Sequence, residues 1–322
     1  MNRRERPAVD RATALLAASV LLVFAGCSTD STPLTFLSIG TGGTGGIYYP
    51  LGGALAANLS LADPTRRYTA EVTGGSVENI NRIADGEIDL GFSMSTTVEA
   101  AYNGSNDSRR PLAELRIVAP LYPNVAHVLV RAGLAASSLA ELRGRRVSVG
   151  SAGSGTEQFA RQLLAAAGLD YTQVSERFLS FSESSSALRD GAIDAAIFSV
   201  GYPASAVLEA TTNASIRLLP VDGEALAELL QRYPSYRKAS IPAGTYPGMK
   251  EDLPTVAMLN WIVARDSLDG TVVRLLLDIL LEKRQALVRV NEIARQIDLD
   301  ALRSAPIPLH PAARSWIDEH KP

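Results

Sequence analysis

The residues best placed to do chemistry in this chain are small and hydroxylic. Thr41-Gly42-Gly43-Thr44-Gly45-Gly46 runs up to Tyr48-Tyr49, and Ser148-Val149-Gly150-Ser151-Ala152-Gly153-Ser154-Gly155-Thr156 repeats Ser38–Gly46 almost position for position. In such stretches the donors are backbone N–H groups and Ser, Thr and Tyr hydroxyls. Glycine keeps side chains out of the way and allows positive φ. Donors gathered without acceptors suit an anion. The fit improves where a helix begins, because first-turn N–H groups lack an intrahelical acceptor and the dipole turns its positive end there. Neither stretch carries Lys or Arg. The grip expected is therefore on backbone N–H groups around Thr44–Gly46 and Ser154–Thr156, with the hydroxyls of Thr44, Ser154 and Thr156 beside them. Thr41, Gly42 and Tyr48 extend the first loop and Gly155 the second. The competing source of a positive charge is a remote arginine, Arg82 or Arg265.

Other chemistries fit less well. Gly40-Thr41-Gly42-Gly43-Thr44-Gly45 satisfies the letters of a dinucleotide fingerprint, but no decisive acidic residue closes the second strand. A phosphate loop fails because no Lys follows the glycines. His127, His310 and His320 stand apart and there is one cysteine, so no metal set is expected. Nothing has the spacing of nucleophile, base and orienting group, and Ser184-Ser185-Ser186 reads as a helix cap. No catalytic residue, metal or cofactor is expected. A glycine turn between strand and helix can also be a tight connection only; it is the matched pair that points to binding.

The elements that must hold these loops can be read from periodicity. Leu34–Ile39 is a short buried strand, and Leu51, Leu55 and Leu59 mark a helical face after the glycines. Arg67–Val72 is a second strand. Ser76 is placed to cap a helix carrying Ile80 and Ile83 that ends at Gly86. Leu90–Met94 follows as a third strand, presenting Ser93, Ser95, Thr96 and Thr97 at its carboxyl end, where α/β sheets gather ligands. Asp85-Gly86-Glu87-Ile88-Asp89 and Asp190-Gly191-Ala192-Ile193-Asp194 are a second echo, each closing a helix and opening a buried strand.

Tyr102–Arg110 reads as loop. Leu115–Leu121 and Ala126–Arg131 read as strands parted by Tyr122-Pro123-Asn124. Val256–Ala264 reads as a central strand and Thr271–Val290 as one long amphipathic helix. The whole is an α/β architecture of two similar lobes with a ligand cleft between them. Lobe I takes 34–122, lobe II takes 123–219 and the return to lobe I takes 220–322. Crossings fall near Pro120–Val125 and Leu219–Val221, with Tyr122 and Tyr202 at the border of the cleft.

The first residues read as an export signal: Arg3, Arg4, Arg6 and Arg11, an apolar run from Ala12 to Phe24, then Ala25-Gly26-Cys27. The run is too short to span a bilayer. Cleavage before Cys27 removes 26 of 322 residues, with four Arg, one Glu and one Asp, and takes the net charge from −3 to −5. Residues 27–33 then form a lipidated tether. No basic patch for nucleic acid is left. With the only Cys lipidated, burial alone must hold the fold.

In Ile39–Pro50 (IGTGGTGGIYYP), Leu121-Tyr122-Pro123, Gly150–Glu157, Ala243-Gly244-Thr245-Tyr246-Pro247-Gly248 and Pro308-Leu309-His310-Pro311, the chain resembles the TAXI family of extracytoplasmic solute receptors of TRAP transporters. The motifs occur in family order along nearly all of the mature chain. The resemblance implies a periplasmic-binding-protein fold and capture of a small organic anion, such as a glutamate-like amino acid or dicarboxylate. It also implies delivery to a permease driven by an ion gradient, and a monomeric, lipid-anchored protein on the periplasmic face or outer surface of the cell membrane. The chain departs from the family at Asn124, where an acidic residue is usual, and at Ser93-Met94-Ser95. An exported enzyme on the same scaffold, or a receptor feeding a membrane sensor, are the alternatives.

Overall fold

The computed structural model of the chain describes residues 34–104, 110–212 and 216–320; the export signal, Cys27 and the tether lie outside them. In chain order the elements are β1 (Thr35–Gly40), α1 (Tyr48–Ala62), β2 (Arg66–Glu71), α2 (Ser76–Asp85), β3 (Leu90–Met94), α3 (Ser95–Asn103) and β4 (Leu115–Arg131). There follow β5 (Arg146–Ser148), α4 (Gly155–Ala166), β6 (Ser175–Arg177), α5 (Phe181–Arg189), β7 (Ala195–Val200), α6 (Ser205–Thr211) and β8 (Ile216–Leu219). The chain closes with α7 (Gly223–Arg232), β9 (Arg237–Ile241), β10 (Leu253–Arg265), α8 (Gly270–Glu282), α9 (Arg284–Val290) and α10 (Pro311–Glu319).

The strands form one sheet in the order β2-β1-β3-β10-β4-β7-β5-β6, with β8 on β4 and β9 on β10. β1 and β3 run parallel at one end, and β5 runs parallel to β6 and β7 at the other. The two ends meet at β4 and β10, which pair antiparallel from Leu115 against Arg265 to Val125 against Ala257. Beyond Val125, β4 pairs instead with β7 and β8. The sequence reading broke this strand at Tyr122-Pro123-Asn124, and the structure corrects it. Pro123 faces Leu259 beside a register shift in β10, so the ladder passes the residue that lacks an N–H.

Hydrophobic periodicity accounts for most elements. Leu51, Leu55 and Leu59 are fully buried on α1, and Ile80 and Ile83 on α2. The Asp-Gly-x-Ile-Asp echo builds the same joint in both halves. Gly86 (φ 77°) and Gly191 (φ 70°) take left-handed backbone where a helix ends. Ile88 and Ile193 are buried. Each final Asp then fastens the neighbouring parallel strand: Ser38 N–H donates to Asp89 Oδ2 (2.8 Å) and Arg146 N–H to Asp194 Oδ2 (3.0 Å). The register places Ile39 beside Leu90 and Val147 beside Ala195. Ile39 thus corresponds to Val147, two residues from its match in the sequence repeat. An even offset leaves every side chain on its original face.

Four local expectations are corrected. Ser76 is the first residue of α2, Gly75 occupies the cap position, and the Ser76 hydroxyl accepts from Met94 N–H (3.2 Å). Residues 95–103 are helical where a strand end and loop were expected. The cap of α5 is Ser180, reciprocated by Glu183; Ser184–Ser186 lie inside the helix. The helix expected over 271–290 breaks at Lys283, and the second piece buries Leu287 and Val288.

Candidate ligand-binding site

One cavity lies where the two ends of the sheet face each other. Its volume is about 80 Å³, several times the roughly 10–15 Å³ that one water needs. Four helices begin at its wall: α1 through Gly45, Gly46 and Tyr48, α2 through Gly75 and Ser76, α4 through Ser154, Gly155 and Thr156, and α5 through Ser180 and Phe181. Tyr122 and Asn124 of β4 form the floor, with Met94, Ser199 and Val200 at the strand ends. Among the described residues no Asp, Glu, Lys, Arg or His lines it. A charge inside it meets helix dipoles, amides and hydroxyls.

The floor is a closed hydrogen-bond network. Tyr48 Oη donates to Asn260 Oδ1 (2.6 Å). Asn260 Nδ2 donates to Tyr122 O and to Asn124 Oδ1, both at 2.8 Å. Asn124 Nδ2 donates to Ser199 O (3.0 Å). Two hydroxyls stay outside this network. Tyr122, 1% exposed, and Thr156, 6% exposed, both line the cavity, and their hydroxyls take no part in the network. The Thr156 methyl packs toward Gly150, where an added Cβ would stand 2.8 Å from it. Burial raises the pKa of both Tyr48 and Tyr122, so both stay protonated donors.

Glycine is required at the walls mainly for space. None of Gly40–Gly46 has positive φ, contrary to the freedom expected of the first turn; in the second, Gly150 (φ 94°) and Gly153 (φ 70°) do. An added Cβ at Gly45 would lie 2.4 Å from Ser182 Oγ, and one at Gly155 2.8 Å from Ser76 Cβ. Each glycine admits the opposite wall. The walls are also bonded to one another: Glu78 N–H donates to Gly153 O (3.1 Å), and Thr97 Oγ1 donates to Gln158 Oε1 (2.6 Å).

Of the residues singled out from sequence, Gly42, Gly45, Gly46, Tyr48, Tyr122, Ser154, Gly155 and Thr156 come together at the cavity. Thr41, Thr44, Ser93, Ser95 and Tyr202 do not. Thr41 is fully buried, bonding Glu71 O through both N–H (3.0 Å) and Oγ1 (2.6 Å), and so clamps the ends of β1 and β2. Thr44 is exposed. Ser93 is buried in the sheet without a partner for its hydroxyl. Ser95 donates to Leu259 O (2.9 Å) and accepts from Trp261 Nε1 (2.7 Å). Tyr202 is half-buried against the core. Of the adjacent tyrosines, Tyr48 faces inward and Tyr49 outward. Ser154 accepts from Glu157 N–H (3.0 Å) as the cap of α4. Arg82 pairs with Glu71 and Glu87, and Arg265 donates to Ile83 O; neither reaches the cavity.

The sequence reading missed the contributions of Ser180 and Phe181, Gly74 and Gly75, Met94, Ser199 and Val200. The capping box Ser180…Glu183 marked the start of α5 in the sequence. The others carried no local signal, because only the pairing of β3 and β7 to the long strands brings them to the cleft.

The class of fold is settled by comparison. PhnD1 of Prochlorococcus marinus MIT 9301, solved in complex with methylphosphonate, overlays with a TM-score of 0.55 at 12% identity, covering 88% of this chain and 96% of that one. A protein of Bordetella bronchiseptica RB50 overlays at 0.53 with 18% identity, covering 88% and 81%. The aliphatic sulphonate binding protein SsuA of Escherichia coli overlays at 0.48 with 18% identity, covering 89% and 84%. The fold is the two-lobed, mixed α/β periplasmic-binding-protein type. The chain belongs to the NMT1-like family, which it matches over residues 39–320.

Proposed function

We propose that this protein is an extracytoplasmic solute receptor that closes its two lobes around a small organic anion and hands it to a membrane permease. The observation that carries this reading is the cavity itself. Four helix N-termini and the hydroxyl-bearing side chains of Tyr122 and Thr156 surround it, and no charged side chain lines it among the described residues. Donors so arranged favour negative charge. The likeness in fold to PhnD1 supports a binding protein over an enzyme, as does a wall of amides and hydroxyls with no acid–base pair.

On this reading lobe I is 34–122 with 220–322 and lobe II is 123–219, and β4 and β10 carry the hinge. The motif resemblance to TAXI receptors points to a TRAP-type permease as partner and to glutamate-like amino acids or dicarboxylates as the first ligands to try. Lipid on Cys27 holds the mature, monomeric chain at the outer side of the membrane. Native mass spectrometry of the purified protein, followed by calorimetry with whatever it carries, tests the proposal. A bound organic acid released unchanged is expected. A bound cation or neutral molecule, or chemical turnover of the acid, would overturn it.

A further inference from the structure

Resting on that reading of the cavity as an anion site, we propose that its ligand is a small monoanion with an apolar remainder, such as a short-chain monocarboxylate, rather than an amino acid or a dicarboxylate. The helices show how much negative charge the cavity can hold. Three of the four that open onto it already have a carboxylate in their first turn: Glu78 in α2, Glu157 in α4 and Glu183 in α5. Glu78 Oε2 accepts from Gly74 N–H (2.7 Å) and Glu183 Oε2 from Ser180 N–H (2.8 Å). Each carboxylate offsets the dipole of its own helix. Only α1 has no acidic residue in its first turn. That leaves one uncompensated helix end, together with the hydroxyl-bearing side chains of Thr156 and Tyr122 in the cavity wall, for one carboxylate.

The rest of the wall suits carbon. Phe181, Met94, Val200 and Ile47 contribute to it. An α-ammonium group would need a carboxylate partner, and the position that could supply one is Asn124. Its Oδ1 already accepts from Asn260 and its Nδ2 already donates to Ser199 O. A second charge of either sign would be buried without a counter-charge, which costs far more than burying a methyl group.

A nested series on the intact protein tests this by calorimetry: butyrate, 4-aminobutyrate, succinate and glutamate. They share a short chain and differ in added charges. Butyrate is expected to bind at least about 100-fold more tightly than each of the others, the scale of leaving one buried charge unpaired. If succinate or glutamate binds as tightly as butyrate, the monoanion proposal is wrong while the anion site stands. If butyrate fails and n-butanol or n-butylamine binds, the anion site falls with it. Binding by none of the six also overturns the proposal, because a cavity of about 80 Å³ built for a short acid must take the smallest member of the series.

Discussion

Thr156→Val is expected to lower affinity while leaving stability nearly unchanged, a pattern that separates a ligand-gripping hydroxyl from a structural one. The substitution keeps the shape of the side chain, and the retained methyl still packs toward Gly150. In the unliganded protein the Thr156 side chain, 6% exposed, lines the cavity and takes no part in the hydrogen-bond network of its floor. Removing the hydroxyl leaves that network intact, so unfolding should be nearly unchanged. A loss of about 1 kcal/mol would lower Tm by roughly 2–4 °C in a chain of this size, and a smaller shift than that is expected.

With the anion bound, the same hydroxyl donates to a charged acceptor. Such a bond is worth about 1.5–3 kcal/mol, or roughly a ten- to hundredfold loss of affinity. Tyr122→Phe should follow the same pattern. Ser154→Ala should not, because its hydroxyl caps α4 and its loss costs about 0.5–2 kcal/mol of stability. Thermal unfolding without ligand and calorimetry with butyrate, or with succinate if that binds more tightly, read both quantities. Unchanged affinity in both Thr156→Val and Tyr122→Phe, or a clear loss of unliganded stability in either, would refute the assignment of these hydroxyls.

His127 is fully buried between Val125 O and Tyr246 Oη, and burial holds its pKa down at about 3 against an ordinary 6.5. Between those values the unfolded chain binds a proton that the folded chain refuses. Stability should therefore fall as pH drops from 6.5 toward 3, by about 1.4 kcal/mol per unit. Unfolding scans of wild type and His127→Gln across that window should show a shallower slope in the variant; equal slopes would exclude His127 as the source. Gly40→Ala places a Cβ 2.5 Å from Asn79 Oδ1, the side chain whose amide donates to Thr41 O and Phe92 O. Denaturant titration should show a loss of about 1–3 kcal/mol. Small-angle scattering should show compaction when ligand is added, since walls that touch through Gly45 and Gly155 must part for entry; an unchanged radius with ligand bound would refute hinge closure. Cys27→Ser should move the protein from the membrane fraction to the soluble fraction, and retention on the membrane would refute lipid anchoring.

The sequence by itself determined whatever depends on neighbours along the chain. The glycine turns, the Leu51, Leu55 and Leu59 face of α1, the Asp-Gly-x-Ile-Asp joints and the apolar run of β10 follow from local period, caps and small residues. The duplicated plan carried the two-lobed architecture with them. What the tertiary structure decided is which of the hydroxyls do anything at the cleft. Thr41, Ser95 and Thr156 look alike in sequence, yet Thr41 clamps two strand ends, Ser95 receives an indole N–H and Thr156 lines the cavity wall. A hydroxyl is claimed by whichever acceptor or donor the fold brings within about 3 Å, and those partners lie 30 residues away for Thr41 and 166 for Ser95. The unbroken course of β4 through Pro123 was decided in the same way, because only the register shift in the paired strand β10 lets a residue without an N–H sit in the middle of a sheet.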